Sequence, residues 1–247
     1  MAELRLLALY PEQMNIYADR GNILFLQRRC EWRGIAFRWD GAGPGASIDP
    51  AAHDVFYIGG GQDRDQRVVA ADMVETKRAA LRTAVDDGAA LLAVCGGYQL
   101  LGESYELGEE TLPGLGLADL RTVREEGPRL IGNVAIETEL GGAKRLLAGF
   151  ENHGGRTYLG AGARPLGRVV AGHGHGNNGA DGLEGVWEKN MVGTYLHGPL
   201  LPKNTWLADH LIELALERRY GERPTLEPLP DELERAAHAS ARAAAGL

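Results

Sequence analysis

Residues 89–102 read AALLAVCGGYQLLG: an uninterrupted apolar run, a cysteine, two glycines and a second apolar run. The first run, "AALLAV" (89–94), has the pattern of a strand buried on both faces. The second, "YQLLG", is suited to a helix. A strand that passes through a tight glycine turn into a helix pushes the side chain at the turn out at the top of an α/β sheet. Here that side chain is Cys95.

The sequence on either side agrees with an α/β sheet. Upstream, "LRLLALY" (4–10), "IAFRW" (35–39) and "HDVFYIGGG" (53–61) read as strands. Between them, "GNILFLQRRCEWRG" (21–34) reads as a helix stopped by Gly34. Residues 65–87, with Val68, Val69, Met73, Ala80, Leu81, Ala84 and Val85 at helical spacing, read as another stopped by Gly88. Such a succession predicts a three-layer α/β fold, a mostly parallel sheet flanked by helices. From about residue 110 the texture changes to short strands and glycine-rich turns: "RLIGNVAIETEL", "GRVVAG", "GHGHGNNGADG" (172–182) and "LEGVWEKNMVGTYLHG". These predict antiparallel hairpins added to the sheet. The helix "NTWLADHLIELALERRYG" follows, with Asn204 as N-cap and Gly221 as stop, and Trp206, Leu207, Leu211, Leu214 and Ala215 on one face. Residues 1–221 form the expected domain and 222–247 a tail or short helix.

Composition narrows the functional classes. The chain has 247 residues, 44% of them hydrophobic, enough for a substantial core. Twenty-six basic against 34 acidic residues leave a net charge of -8, which argues against a general nucleic-acid-binding surface. Two cysteines, Cys30 and Cys95, make no disulfide framework and no CxxC pair, which predicts a reducing, cytoplasmic setting. No apolar stretch approaches the length of a membrane span, and no metal site is expected.

A cysteine at the start of a helix, or beside an imidazole, becomes a thiolate and hence a nucleophile. The backbone N–H of Gly96 is then placed to hold an oxyanion, with a second donor from Gly60 or Gly61 in "YIGGGQDRDQ" (57–66). That glycine loop lacks both nucleotide-binding fingerprints. The plainer alternative for Cys95 is a small buried cysteine at a strand end. Among seven histidines, His197 in "MVGTYLHGPLL" (191–201) follows an apolar run and would meet Cys95 if both strand ends lie on one side of the sheet. His153 in "FENHGG" and the His173/His175 pair are rivals. Arg129 in "GPRLIGN" could clamp a carboxylate, although most isolated arginines are solvated.

These pieces resemble a class I, triad-type glutamine amidotransferase domain. The family's G-x-C-x-G-x-Q pattern is matched at Cys95, Gly97 and Gln99, with Ala93 in place of the first glycine. His197 matches the family's late histidine. Where many members have a glutamate two residues on, Pro199 stands, which is similar to the cobyric-acid-synthase-like branch. Within that branch, "LYPEQMNIYADRGN" (9–22), "GGGQDRDQ" (59–66), "AVCGGYQLLG" (93–102), "RLIGN" (129–133), "GFENHGGRTYLG" (149–160), "GNNGADGLEG" (176–185) and "GTYLHGPLLPKN" (193–204) resemble the GatD-type glutaminase subunits of lipid II isoglutaminyl synthase.

The resemblance implies that Cys95 attacks the side-chain amide of L-glutamine while Gly96 and Gly60 hold the oxyanion. His197 would move the protons, and Gln99 and Arg129 would hold the substrate, Arg129 on its α-carboxylate. Ammonia would pass to a MurT-like Mur ligase subunit, where ATP and Mg are expected, to amidate the α-carboxyl of D-glutamate in the lipid II stem peptide. No cofactor is expected in this chain, and contact with the inner face of the membrane would be peripheral, through lipid II. The resemblance further implies that the acid orienting His197 comes from the partner, with Asp19 and Glu151 as local candidates. Three alternatives stand beside it: a cobyrinate-type amidotransferase subunit, a non-catalytic partner-binding α/β subunit, and a cysteine peptidase.

Overall fold

The computed structural model describes residues 2–16, 19–172 and 175–247. The chain begins with β1 (Glu3–Leu9), α1 (Arg20–Glu31), β2 (Ala36–Ala42) and β3 (Val55–Ile58). α2 (Asp63–Asp72), α3 (Arg78–Asp86), β4 (Ala90–Val94) and the single turn α4 (Gly96–Gln99) follow. β1 pairs in parallel with β2 and β3, and β3 with β4. β3 and β4 are buried at every residue, which is why they read as continuous apolar runs with no alternation.

The predicted helix over 65–87 is one rod with a π-helical turn at Met73–Lys77 between α2 and α3. Its cause is polar. Lys77 is fully buried, and its ammonium donates to Asp72 Oδ2 at 2.7 Å, an oxygen that also accepts the Tyr10 hydroxyl at 2.6 Å. The widened turn brings cation and carboxylate together, a pairing that a buried ammonium requires.

The second half comprises β5 (Ser104–Leu107), β6 (Glu110–Pro113), β7 (Leu120–Arg124), β8 (Leu130–Thr138), β9 (Arg145–His153), β10 (Gly155–Leu159) and β11 (Gly167–Gly172). It continues with β12 (Leu183–Glu184), β13 (Val186–Glu188), β14 (Met191–Thr194), α5 (Thr205–Tyr220) and α6 (Glu232–Ala245). The expected hairpins are mostly not additions to the first sheet. They form two further four-stranded sheets, β10-β7-β5-β6 and β12-β11-β8-β9, while β13 and β14 alone join the central sheet, ordered β13-β14-β4-β3-β1-β2. β14 lies parallel to β4, with Thr194 opposite Val94. The C-terminal ends of β1, β3, β4 and β14 therefore share one edge, the edge at which parallel sheets carry their sites.

α5 packs on α1 and over β1 and β4, burying Leu207, Leu211, Ile212 and Ala215. Gly221, at φ +80°, ends it as expected. Asn204 stands at the N-cap position but does not cap: its amide exchanges two hydrogen bonds with the backbone of Ala148, each 2.9 Å, tying α5 to β9. A buried guanidinium completes the packing. Arg29 of α1 grips Asp209 of α5 through two hydrogen bonds of 2.6 Å and reaches Asp231, just before α6, at 2.8 Å. Among the described residues no helix is long and apolar enough to cross a membrane.

Candidate active site

Cys95 follows directly on β4 and has φ +51° and ψ -105°, a conformation that L-residues rarely hold. Its neighbours enforce it. The Cys95 N–H donates to Thr194 O of β14 at 2.8 Å, and the following glycines press on the turn after β3. A Cβ at Gly96 would come within 2.8 Å of Gly61 N, and one at Gly97 within 2.6 Å of Ile58 O, so both positions require glycine.

His197, fully buried, is held by a backbone hydrogen bond from its N–H to Phe150 O at 2.7 Å. Its ring is close enough to Cys95 for the two to interact, and its Nδ1 lies 3.3 Å from Asp19 Oδ1. Burial works against the charged ring. The thiolate form of Cys95 and the Asp19 carboxylate outweigh it and push His197 up to about 10. An imidazolium donating one proton toward the sulfur and one toward Asp19 satisfies all three groups.

Asp19 is itself fully buried. It stands at the N-cap position of α1, where an aspartate ordinarily accepts from the first helical N–H groups, yet it makes no capping bond. Instead Oδ1 faces His197 and Oδ2 accepts the Gly60 N–H at 2.9 Å. Of the two local acids the sequence offered beside a partner-supplied one, Asp19 is the one that faces His197.

A cavity of about 290 Å³ opens beside Cys95, lined among others by Gly61, Asp63, Gln99, Arg129 and Asn152. Arg129, exposed on the rim, donates to Asn152 Oδ1 at 2.8 Å and to Asn152 O at 2.7 Å, which aligns the guanidinium. Gln99 is buried beneath. Its Nε2 donates to the Tyr195 hydroxyl at 3.2 Å and its Oε1 accepts from Gln66 at 2.9 Å.

A nucleophile on a strained turn, an imidazole against its sulfur and a carboxylate behind the imidazole can carry out acyl transfer. The comparisons with known proteins point the same way. The CobB/CobQ-like glutamine amidotransferase domain matches residues 5–205. The chain belongs to the CobB/CobQ-like glutamine amidotransferase family.

Within this family the chain is 41% identical over 220 residues to the lipid II isoglutaminyl synthase (glutamine-hydrolyzing) subunit GatD of Staphylococcus aureus, covering 89% of this chain and 87% of that one. To the protein of the same name from Streptococcus pneumoniae it is 38% identical, covering 89% and 83%. A cobyric acid synthase of Pelotomaculum thermopropionicum is 39% identical over 162 residues, but these are only 30% of its length. The fold is shared with PurLQS from Thermotoga maritima, at a TM-score of 0.57 and 15% identity over 90% of this chain and all of that one. A glutamine amidotransferase of the same organism scores 0.55 at 15% identity, over 97% and 94%.

Against this CobB/CobQ-like frame, one predicted site residue needs correction. The Gly60 N–H is committed to Asp19, so it is not free for an oxyanion. Among the described residues, no hydrogen bond uses the N–H of Gly61 or of Gly96, and the two glycines are in close contact. Of the rival histidines, His153 donates from Nδ1 to Gly155 O at 2.8 Å and stacks on Tyr195 with ring centroids 3.5 Å apart. Burial pushes it down to about 3, leaving it neutral. His175 lies against Glu151 at 2.5 Å, and burial raises Glu151 to about 7. Among the described residues the Glu151 carboxylate meets His153, His175 and the Gly176 N–H. His173 lies outside the described residues. Gln66, Asn152 and Asp63 join the site without having been singled out in the sequence.

Proposed function

We propose that this chain is the glutaminase subunit of a lipid II isoglutaminyl synthase. In this reading it hydrolyses L-glutamine and delivers ammonia to a MurT-type, ATP-dependent ligase that amidates the α-carboxyl of D-glutamate in lipid II. The observation that carries the reading is Cys95 on its strained turn with His197 against its sulfur, in a chain of which nearly nine-tenths aligns with the GatD subunits. We take residues 1–221 as the amidotransferase domain and 222–247 as an appended tail. ATP and Mg belong to the ligase, and the work is cytoplasmic, with lipid II reached through the partner.

The Cys95 thiolate adds to the side-chain amide carbon of glutamine. The N–H groups of Gly61 and Gly96 hold the oxyanion, while Arg129 pairs with the α-carboxylate and Gln99 supports the pocket floor. The His197 imidazolium gives its proton to the departing nitrogen, the C–N bond breaks, and ammonia leaves a γ-glutamyl thioester on Cys95. Neutral His197 then takes a proton from water as the hydroxide adds to the thioester carbon. Collapse breaks the C–S bond, frees glutamate and restores the thiolate–imidazolium pair. Asp19 is a positioning residue, holding Nδ1 so that the proton-carrying edge stays toward sulfur.

The test is glutamate release from L-glutamine by the chain alone and with a MurT-type ligase, for wild type, Cys95→Ala and His197→Ala. Release that requires both residues supports the reading. Binding of the ligase with no release from any sample refutes it and leaves a non-catalytic partner subunit.

A further inference from the structure

Glutamine enters the site as a zwitterion. The reading above, on which this inference rests, places its α-carboxylate on Arg129 and leaves the α-ammonium without a partner. An ammonium taken from water into a cavity requires a replacement acceptor. Among the described lining residues only one carboxylate is present, Asp63, beside two guanidinium groups in the same lining, those of Arg129 and Arg64.

Asp63 is half-buried at the first position of α2, directly after the Gly61–Gln62 turn that supplies the oxyanion donor. Its Oδ1 accepts the Tyr105 hydroxyl at 3.0 Å, and no other hydrogen bond or ion pair engages it among the described residues. The neighbouring acid is committed elsewhere: Asp65 accepts the Gln62 N–H at 3.1 Å in the capping box of α2 and meets Arg64 at 3.4 Å. Asp63 is thus a carboxylate fixed by a buried tyrosine, with acceptor capacity remaining, on the wall of a cavity whose other charged side chains, apart from the Cys95 nucleophile, are guanidinium groups. We propose that Asp63 binds the α-ammonium of glutamine and is the residue by which the site distinguishes an α-amino acid amide from a simple carboxylic acid amide.

An acid at this position also suits the N-terminus of α2, so the test must separate substrate reading from helix support. The probes are L-glutamine and its des-amino analogue, glutaric acid monoamide, assayed with the full chain and its ligase partner. Wild type should prefer L-glutamine. Asp63→Asn keeps an acceptor for Tyr105, and should lower kcat/KM for L-glutamine by about tenfold to a hundredfold, mainly through KM, while the value for the analogue stays unchanged. An equal fall for both substrates assigns Asp63 to helix support and overturns the proposal, as does no change in either. Calorimetric binding of the two compounds to Cys95→Ala, with and without Asp63→Asn, reads the same selectivity without turnover. Selective binding without glutamate release would sink the glutaminase reading and leave Asp63 standing. Release with selectivity untouched by Asp63→Asn would sink Asp63 alone.

Discussion

Replacing Asp19 by asparagine removes one charge from the buried Cys95–His197–Asp19 array while preserving the side chain's size. At 3.3 Å, a carboxylate and an imidazolium attract by about 5 kcal/mol at an effective dielectric of 20. Desolvation of both groups offsets part of this, and a charge-assisted hydrogen bond typically retains about 1.5–3 kcal/mol. The tautomer changes as well. An asparagine that still accepts the Gly60 N–H must turn its NH₂ toward Nδ1 of His197, which leaves the only ring proton on the edge facing sulfur and disfavours the charged ring. The expected result is a loss of about ten- to a hundredfold in kcat and a fall of about one to two units in the pH, near 10 in wild type, at which His197 deprotonates. The assay is the rate of Cys95 alkylation by iodoacetamide across pH, read beside glutamate release. Cys30 does not interfere, because burial pushes its thiol up to about 12. Wild-type rates and an unmoved inflection in Asp19→Asn would refute the reasoning. Full recovery on adding the ligase would reassign the orienting acid to the partner.

Three further outcomes are expected. Arg129→Lys should raise KM for glutamine about tenfold with kcat little changed, because an ammonium cannot reproduce the planar fork aligned by Asn152; steady-state kinetics decides. Arg29→Met leaves Asp231 without its cation and Asp209 with Arg33 alone, and should cost about 3 kcal/mol in urea unfolding. Glu184 is fully buried, accepts the Tyr195 N–H at 2.7 Å and is pushed by burial up to about 8. Its folded value lies above its unfolded one, so its contribution to stability is complete below about pH 4.5 and is lost as pH rises toward 8. Glu184→Gln should therefore gain on wild type by roughly 1.4 kcal/mol per pH unit across that window in thermal melts, and a pH-independent difference would contradict the assignment.

The central sheet was legible because β3 and β4 are buried on both faces and are bounded by glycine turns, so hydrophobicity alone marks them. The pairing of the later strands was not legible. Alternation indicates a strand but not its neighbour, and β14 carries the same apolar pattern as a hairpin strand while lying parallel to β4. The strand–turn–helix setting of Cys95 was legible, but by spacing alone His197 stood level with other histidines, and only the parallel pairing of β14 with β4 brings it to the same sheet edge. Asp19 was harder: an aspartate before a helix looks like a cap, and only its missing capping bond reveals another use. The Gly60 assignment failed for the related reason that a backbone N–H claimed by a side chain 41 residues away leaves no local trace.

Asp19 and the histidine it faces are separated by 178 residues, yet Asp19 and the proline two places after that histidine belong to segments that meet in space. A methyl group at Gly21 would come within 2.7 Å of Pro199 Cγ, so the proline that stands in the glutamate's place packs beside the very segment that brings Asp19. A motif scan that demands an acid two places after the histidine would score such a chain as a broken enzyme. A scan that asks which carboxylate meets the imidazole in three dimensions would stop instead at Asp19, one segment away from that proline.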